Sequence, residues 1–226
     1  MAQFTIDGIS LDVPDALLNR RISEKLSTGA YEADERRAAL MRLRPGQRVL
    51  ELGSGIGFIA ASCAAVVGGK HVVAVEANPD LLPVIRKTCA LNGHAGVEIV
   101  HGAVSGHPDQ TKSIAFDVPG AFWAGRIAPD GTPTTTSQHV PRLALPELLE
   151  RYRPNLVVMD VEGAEAQFFE DCWPEYVGQI VMELHPKQYP DTTIQKIVDC
   201  LSASGLTYDP GPSVGRVLCF RRVRGG

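Results

Sequence analysis

The chain lacks a surplus of charge of either sign. With 22 Lys and Arg against 26 Asp and Glu, its formal net charge is −4, which gives no electrostatic reason to expect nucleic acid as a partner. Basic residues form no long run, and the nearest approach, Arg221, Arg222 and Arg224, reads as a solvated chain end. A long apolar stretch is missing too, and the opening MAQFTIDGIS carries no basic leader region, so neither a membrane span nor a secretory signal is expected. Cysteine is scarce: Cys63, Cys89, Cys172, Cys200 and Cys219 are odd in number, scattered, and without a C-x-x-C pair. That pattern gives no disulfide framework and points to reduced, partly buried thiols in a cytoplasmic protein. There is no internal repeat or low-complexity tract. What is present, 226 residues with 44% hydrophobic and 21% charged, describes one globular α/β domain with room for a full core.

The most informative stretch is VLELGSGIGF, Val49 to Phe58. An apolar run ends at Glu51 and Leu52, glycines at Gly53, Gly55 and Gly57 allow a sharp turn, and a helical pattern follows. Strand, tight loop and helix start place backbone N–H groups and an open surface at the end of a sheet, where a ligand binds. A dinucleotide fingerprint read from Gly53 needs a small residue at position 58, and Phe58 excludes it. The carboxylate of Glu51 would repel a pyrophosphate but suits a cationic ligand, such as the ammonium and sulfonium end of S-adenosylmethionine.

A second strand, VVAVE, ends in Glu76, 23 positions after Gly53. That is one helix plus one strand, the spacing of a βαβ unit whose second strand carries a ribose-binding carboxylate. Ala77 follows, and Asn78 with Pro79 starts the next helix. Ser54 lies in the glycine loop itself.

Phe4 to Val13 alternates around Asp7-Gly8 and predicts a hairpin, and Asp15 to Leu26 predicts a helix. The segment STGAYEADERRAALMRL reads as a loop and an amphipathic helix with Ala39, Leu40 and Leu43 on one side. Together, residues up to about 45 form a cap that can fold over the ligand end of the sheet, with Tyr31, Glu32 and Glu35 as closing residues. After a helix over Asp80 to Leu91, Val97 to His101 is a third strand. Its continuation puts backbone groups of Ala103 and Val104 beside the adenine. Residues 105–140 break the rhythm with Pro, Gly, Thr and Ser, apart from β-like pieces at Ser113 to Phe116 and Ala121 to Trp123. A loop this long inside a compact domain reads as a substrate insertion, with Phe122, Trp123 and Arg126 as wall residues.

Regular order returns with the helix LPELLERY and the strand NLVVMD, which runs into DVEGAEAQFF. Asp160, Glu162 and Glu165 crowd there, and like charges repel unless something positive sits among them. First-turn acids also complement a helix dipole, which explains Glu165 well and Asp160 poorly. The strand Gln179 to Leu184 carries Glu183 and leads into His185. A helix over Thr193 to Ala203, a strand near Leu206, a PGPSVG turn and a strand over Arg216 to Arg221 complete a seven-stranded, mostly parallel sheet with helices on both faces and an antiparallel last strand.

VLELGSGIGF, VVAVEANP, VPRLALPELL, LVVMDVEGAE and VMELHP, in that order, resemble the FkbM-type S-adenosylmethionine-dependent methyltransferases, a family with the class I, Rossmann-like fold. The likeness runs from about Gly29 to Pro186, and the D-V-E-G-A-E segment with the later E-x-H is its most specific part. It implies cofactor contacts from Glu51, Gly53, Gly55, Glu76 and Ala103, a role for Tyr31 and Glu32, and a reaction centre near Asp160, Glu162, Glu183 and His185. Members are mostly associated with methylating hydroxyls of sugars and bacterial secondary metabolites. The chain departs from the family pattern at the first loop, where D-x-G-A-N-x-G is usual. It departs again at Val158, where a Lys is often found.

The chemistry expected is in-line methyl transfer to a small-molecule hydroxyl, with a base to take its proton. His185 is the first choice because its ordinary pKa suits neutral pH, with Glu162 or Asp160 next. A divalent ion among Asp160, Glu183 and His185 is an alternative, not an expectation. Transfer to an amino or guanidino nitrogen, and a non-catalytic cofactor-binding protein, are the other classes; a homo-oligomer is left open.

Overall fold

The structure is a computed structural model that describes residues 1–109, 111–118, 125–128 and 137–223. It opens with the expected hairpin, β1 (Ala2–Ile6) against β2 (Ile9–Val13). Asp7 and Gly8 both have positive φ there, 46° and 83°, as a two-residue turn matched to strand twist requires. The helix read over Asp15 to Leu26 is instead two pieces. A single 3-10 turn, Asp15–Leu17, precedes α1 (Arg20–Thr28), because the Asn19 side chain accepts the Ile22 N–H at 2.9 Å and starts a new helix. Next comes α2 (Ala33–Arg42).

The glycine loop connects β3 (Val49–Leu52) to α3 (Phe58–Val67), and β4 (Val72–Glu76), α4 (Leu82–Leu91) and β5 (Glu98–His101) follow. The third strand does not simply continue: Gly102 breaks it with φ 155°, and β6 (Ala103–Ser105) starts a second sheet. That smaller sheet contains β7 (Ser113–Asp117), β8 (Arg126–Ile127) and β9 (Ser137–Ala144) in the order β6-β9-β7-β8. It is built from the Pro/Gly-rich stretch that reads as a loop. Phe122 and Trp123 lie outside the described residues, while Arg126 is exposed on β8.

The chain then forms α5 (Leu145–Tyr152), β10 (Leu156–Met159), β11 (Gln179–Glu183), α6 (Asp191–Ala203), β12 (Leu206–Tyr208) and β13 (Val217–Arg222). The main sheet has the order β12-β13-β11-β10-β3-β4-β5. Neighbours from β11 to β5 are parallel, and β13 is antiparallel to both β11 and β12. This is the seven-stranded α/β fold the sequence predicts.

Alternate residues of each central strand serve opposite cores, so the strands are apolar nearly throughout. Val49, Ala74, Val158 and Val181 pack with α2, α3, α4 and the hairpin. Leu50, Leu52, Val157, Met159 and Ile180 pack with α5, α6, Phe169 and Trp173. Arg222 is not a solvated tail residue. Its guanidinium donates to the carbonyls of Pro174, Val177 and Ser204 and ties β13 to the loop before β11. No described helix is long and apolar enough to cross a membrane.

Candidate functional site

The sheet order switches direction at β3: the chain moves outward to β4 on one side and returns as β10 on the other. Strand ends at such a point leave a crevice. A pocket lies there, walled by the glycine loop, the ends of β4 and β10, the start of β6 and the segment before α2.

Two glycines shape this wall, and at Gly53 no other residue fits. A Cβ on Gly53 would lie 2.0 Å from the carbonyl oxygen of Asp160, so the loop can meet the end of β10 only without a side chain. Gly55 has φ 52°, and a Cβ there would lie 3.2 Å from the Tyr31 hydroxyl and 3.5 Å from Glu32 Oε1. Glu76 ties this loop down: its carboxylate accepts the Gly55 N–H at 2.9 Å and the Asn78 N–H at 2.7 Å. Burial pushes Glu76 up to about 6 despite those bonds. Tyr31 is buried edge-on against Phe58, with ring centroids 6.2 Å apart, and its hydroxyl bonds to Glu32. Burial is the main cause that raises both groups well above their usual ranges. Glu32 has φ 46°, a strained conformation for a residue with a side chain, and directly precedes α2.

Of the residues read from sequence as cofactor-binding, Tyr31, Glu32, Gly53, Gly55, Glu76, Ala77, Ala103, Val104 and Asp160 line the pocket. Glu51, Ser54 and Asn78 do not. Strand alternation turns Glu51 toward the α3 side, where it is 2% exposed and pushed by burial up to about 8. The Ser54 hydroxyl donates to the Val75 carbonyl at 3.3 Å, and the Asn78 side chain caps the next turn at Asp80. Leu81, Phe116 and Ile127, which sequence reasoning passed over, supply apolar wall. Phe116 and Ile127 lie on strands and Leu81 in the turn before α4, and as isolated apolar residues they read like any core position, so only the fold distinguishes them.

The acid cluster sits beside this pocket, at the ends of β10 and β11. His185 is 6% exposed. Its Nδ1 lies 2.8 Å from Glu165 Oε1, and its Nε2 lies 3.4 Å from Asp160 Oδ1 and 3.5 Å from Glu162 Oε2. Burial alone would lower the His185 pKa, but the hydrogen bond to Glu165 and the charges of Glu165, Asp160 and Glu162 outweigh it and raise it to about 9. This corrects the expectation of a histidine poised to act as base at neutral pH: with no ion on Nε2, the surrounding carboxylates favour the protonated imidazole, which supplies positive charge within the cluster. Arg216 pairs with Glu183 and supplies the second. Burial raises Asp160 well above the usual carboxylate range, with Glu183 adding to it, and also raises Glu162.

Glu165 is more than a helix-dipole complement. It is fully buried and also accepts the Tyr189 hydroxyl at 2.8 Å and the Gly163 N–H at 2.9 Å. The E-x-x-E and H-P-x-x-Y spacings carried a signal for it. Beyond the cluster lies a cleft of about 740 Å³, bordered by α1, Glu35, Lys187 and Arg216. Tyr31, Glu32, Asp160 and Glu162 line both spaces.

Comparison with known proteins identifies the family and the fold. The profile of the methyltransferase FkbM domain matches residues 46–206. The chain is 39% identical over 64 residues to protein-L-isoaspartate O-methyltransferase 1 of Archaeoglobus fulgidus, covering 28% of this chain and 30% of that one. It is 34% identical over 77 residues to the arsenite methyltransferase of Halobacterium salinarum, covering 34% and 20%. The chain thus spans less than half the length of either relative. Among solved structures, precorrin-6y C5,15-methyltransferase from Geobacter metallireducens superposes with a TM-score of 0.50 at 15% identity, over 96% of this chain and 95% of that one. With its profile match covering most of the residues, the chain belongs to the FkbM methyltransferase family.

Proposed function

We propose that the protein is an S-adenosylmethionine-dependent methyltransferase that methylates a hydroxyl of a sugar or a small secondary metabolite. The observation that carries this reading is the sharing of Tyr31, Glu32, Asp160 and Glu162 between the pocket and the cleft. A ligand in one and an acceptor in the other meet at the acid cluster.

The residues present fit the cofactor. Glu76 offers lone pairs to vicinal ribose hydroxyls, Gly53 and Gly55 leave the approach open, and the apolar Leu81, Phe116 and Ile127 suit a base. Tyr31 and Glu32 cover the end nearest the cluster. When bound, S-adenosylmethionine supplies a methyl group already activated on a sulfonium. The protein's task is then to align an acceptor oxygen and take its proton. Glu162, with Asp160 beside it, is the proton acceptor in this reading. His185 holds the two carboxylates in place.

Two observations favour a small hydroxyl acceptor. A cleft of about 740 Å³ is the size of a small-molecule site. The acids already have cations among them in His185 and Arg216, so a substrate ammonium is not required to neutralise them, as nitrogen methylation would suggest. The smaller sheet built from residues near 105–140 borders the cofactor pocket through Phe116 and Ile127 and, in this reading, belongs to the acceptor-selecting part of the chain.

The test is transfer of a labelled methyl group to a panel of polyhydroxylated and amine acceptors. Hydroxyl compounds are expected to be labelled and amines not. Glu162→Gln is expected to lower turnover by roughly 100-fold or more, with cofactor affinity measured alongside. Labelling of amines alone, or full turnover by Glu162→Gln, would overturn this reading.

A further inference from the structure

We propose that Asp160, Glu183 and His185 form a binding site for a divalent transition-metal ion at the junction of the pocket and the cleft. The three residues come from the ends of two adjacent parallel strands, and each offers a ligand atom within 4.8 Å of the others. The site is therefore assembled by the sheet.

The imidazole is oriented for this. Glu165 takes Nδ1 at 2.8 Å, so the nitrogen left facing the cluster is Nε2, the arrangement in which a carboxylate fixes the tautomer and direction of a ligating histidine. Nε2 makes no hydrogen bond among the described residues; it stops 3.4 Å from Asp160 Oδ1 and 3.5 Å from Glu162 Oε2. Both distances exceed the roughly 2.7–2.9 Å of a charge-assisted hydrogen bond, and an ion binding at Nε2 displaces the proton that His185 carries there without it, since a ligating imidazole is neutral.

The carboxylates give an independent sign. Asp160 Oδ1 is buried with no hydrogen-bond partner among the described residues; the His185 imidazole stops 3.4 Å from it, and a buried carboxylate oxygen without a close partner is costly. Arg216 pairs with Oε1 of Glu183, which orients that carboxylate. One imidazole with two carboxylates suits Mn2+ or Zn2+ better than Mg2+, which prefers an octahedral shell of oxygens.

The role of the ion rests on the methyltransferase reading. In that setting it ligates the acceptor oxygen and lowers the pKa of its hydroxyl. The hydroxyl proton passes to Glu162, the oxygen forms its bond to the methyl carbon, and the carbon–sulfur electron pair stays on sulfur. The ion is neither oxidised nor reduced.

The experiment is titration of the chelator-treated full chain with Mn2+, following the paramagnetic resonance signal of the free ion, for wild type and Glu183→Gln. A parallel calorimetric titration with S-adenosylmethionine uses both proteins. The expected result is one Mn2+ bound per chain, displaced by Zn2+. Glu183→Gln should weaken it at least as much as loss of an orienting residue does, roughly 10- to 100-fold, with unchanged S-adenosylmethionine affinity and thermal midpoint. If wild type leaves Mn2+ free, or if Glu183→Gln binds it equally well, the site is wrong. Failure to bind S-adenosylmethionine would strike the methyltransferase reading separately, because the Mn2+ titration reads the site without it.

Discussion

Glu165 Oε1 lies 2.8 Å from the Nδ1 of His185, and the same oxygen accepts the Tyr189 hydroxyl at 2.8 Å while the Tyr189 oxygen accepts the His185 N–H at 2.7 Å. Side chain and main chain of His185 are thus both held through one buried carboxylate. Glu165→Ala leaves the imidazole, the tyrosine hydroxyl and the Gly163 N–H without their acceptor. A loss of about 3 kcal/mol is expected in urea denaturation. Tyr189→Phe removes one partner only and should cost about 1 kcal/mol. Equal stability of Glu165→Ala and wild type would show that the triangle does not hold the site.

Gly53 tests the contact between the glycine loop and the end of β10. Its φ is 83°, and a Cβ would lie 2.0 Å from the Asp160 carbonyl oxygen. Gly46 has a similar φ, 85°, but open space around it. Gly46→Ala should therefore pay only for backbone strain, about 1 kcal/mol. Gly53→Ala adds a steric clash of about 1 to 3 kcal/mol and displaces the loop. A thermal scan of both variants separates the effects; equal midpoints would contradict the close approach.

Glu51 predicts a pH dependence of folding. Burial raises it from 4.5 to about 8 in the folded chain, so over that interval the folded state keeps a proton that the unfolded state has released. Its contribution is fully present below about 4.5 and is lost as pH rises toward 8, on the order of a few kcal/mol in total. Glu51→Gln should flatten the fall in thermal midpoint over this range, above all between 6 and 8, where Glu76, raised only to about 6, no longer contributes. A midpoint curve parallel to wild type would mean that Glu51 is charged when folded.

Much of this was legible in the sequence because local chemistry and fold agreed there. The E-x-G-x-G-x-G loop, Glu76 at 23 positions and the apolar strands specify the main sheet and one end of the pocket. The hairpin was readable from the alternation of Phe4 to Val13 around Asp7-Gly8. Less was legible where partners are distant in the chain. Glu165 reads as an ordinary first-turn acid until β11 brings His185 to it, and Arg216 reads as the first residue of the last strand until it meets Glu183. The second sheet was hidden because Gly, Pro and Ser dominate its connections, while its short strands pair over long separations, as β6 does with β9. Glu51 is a different case: the acid is where the motif demands, but the period of the strand sets it with Val49 on the α3 side, and it is not among the residues that line the pocket.

The most direct test of the central claim is calorimetric titration of the full chain with S-adenosylmethionine and with its demethylated product, comparing wild type and Glu76→Ala. Because Glu76 also holds the Gly55 and Asn78 N–H groups, the thermal midpoint of the variant is recorded with it. Wild type is expected to bind both ligands saturably, and the variant more weakly by about 1 to 3 kcal/mol, the cost of losing hydrogen bonds to a charged group. Binding of neither ligand by folded wild-type protein, or equal affinity in Glu76→Ala, would contradict that claim.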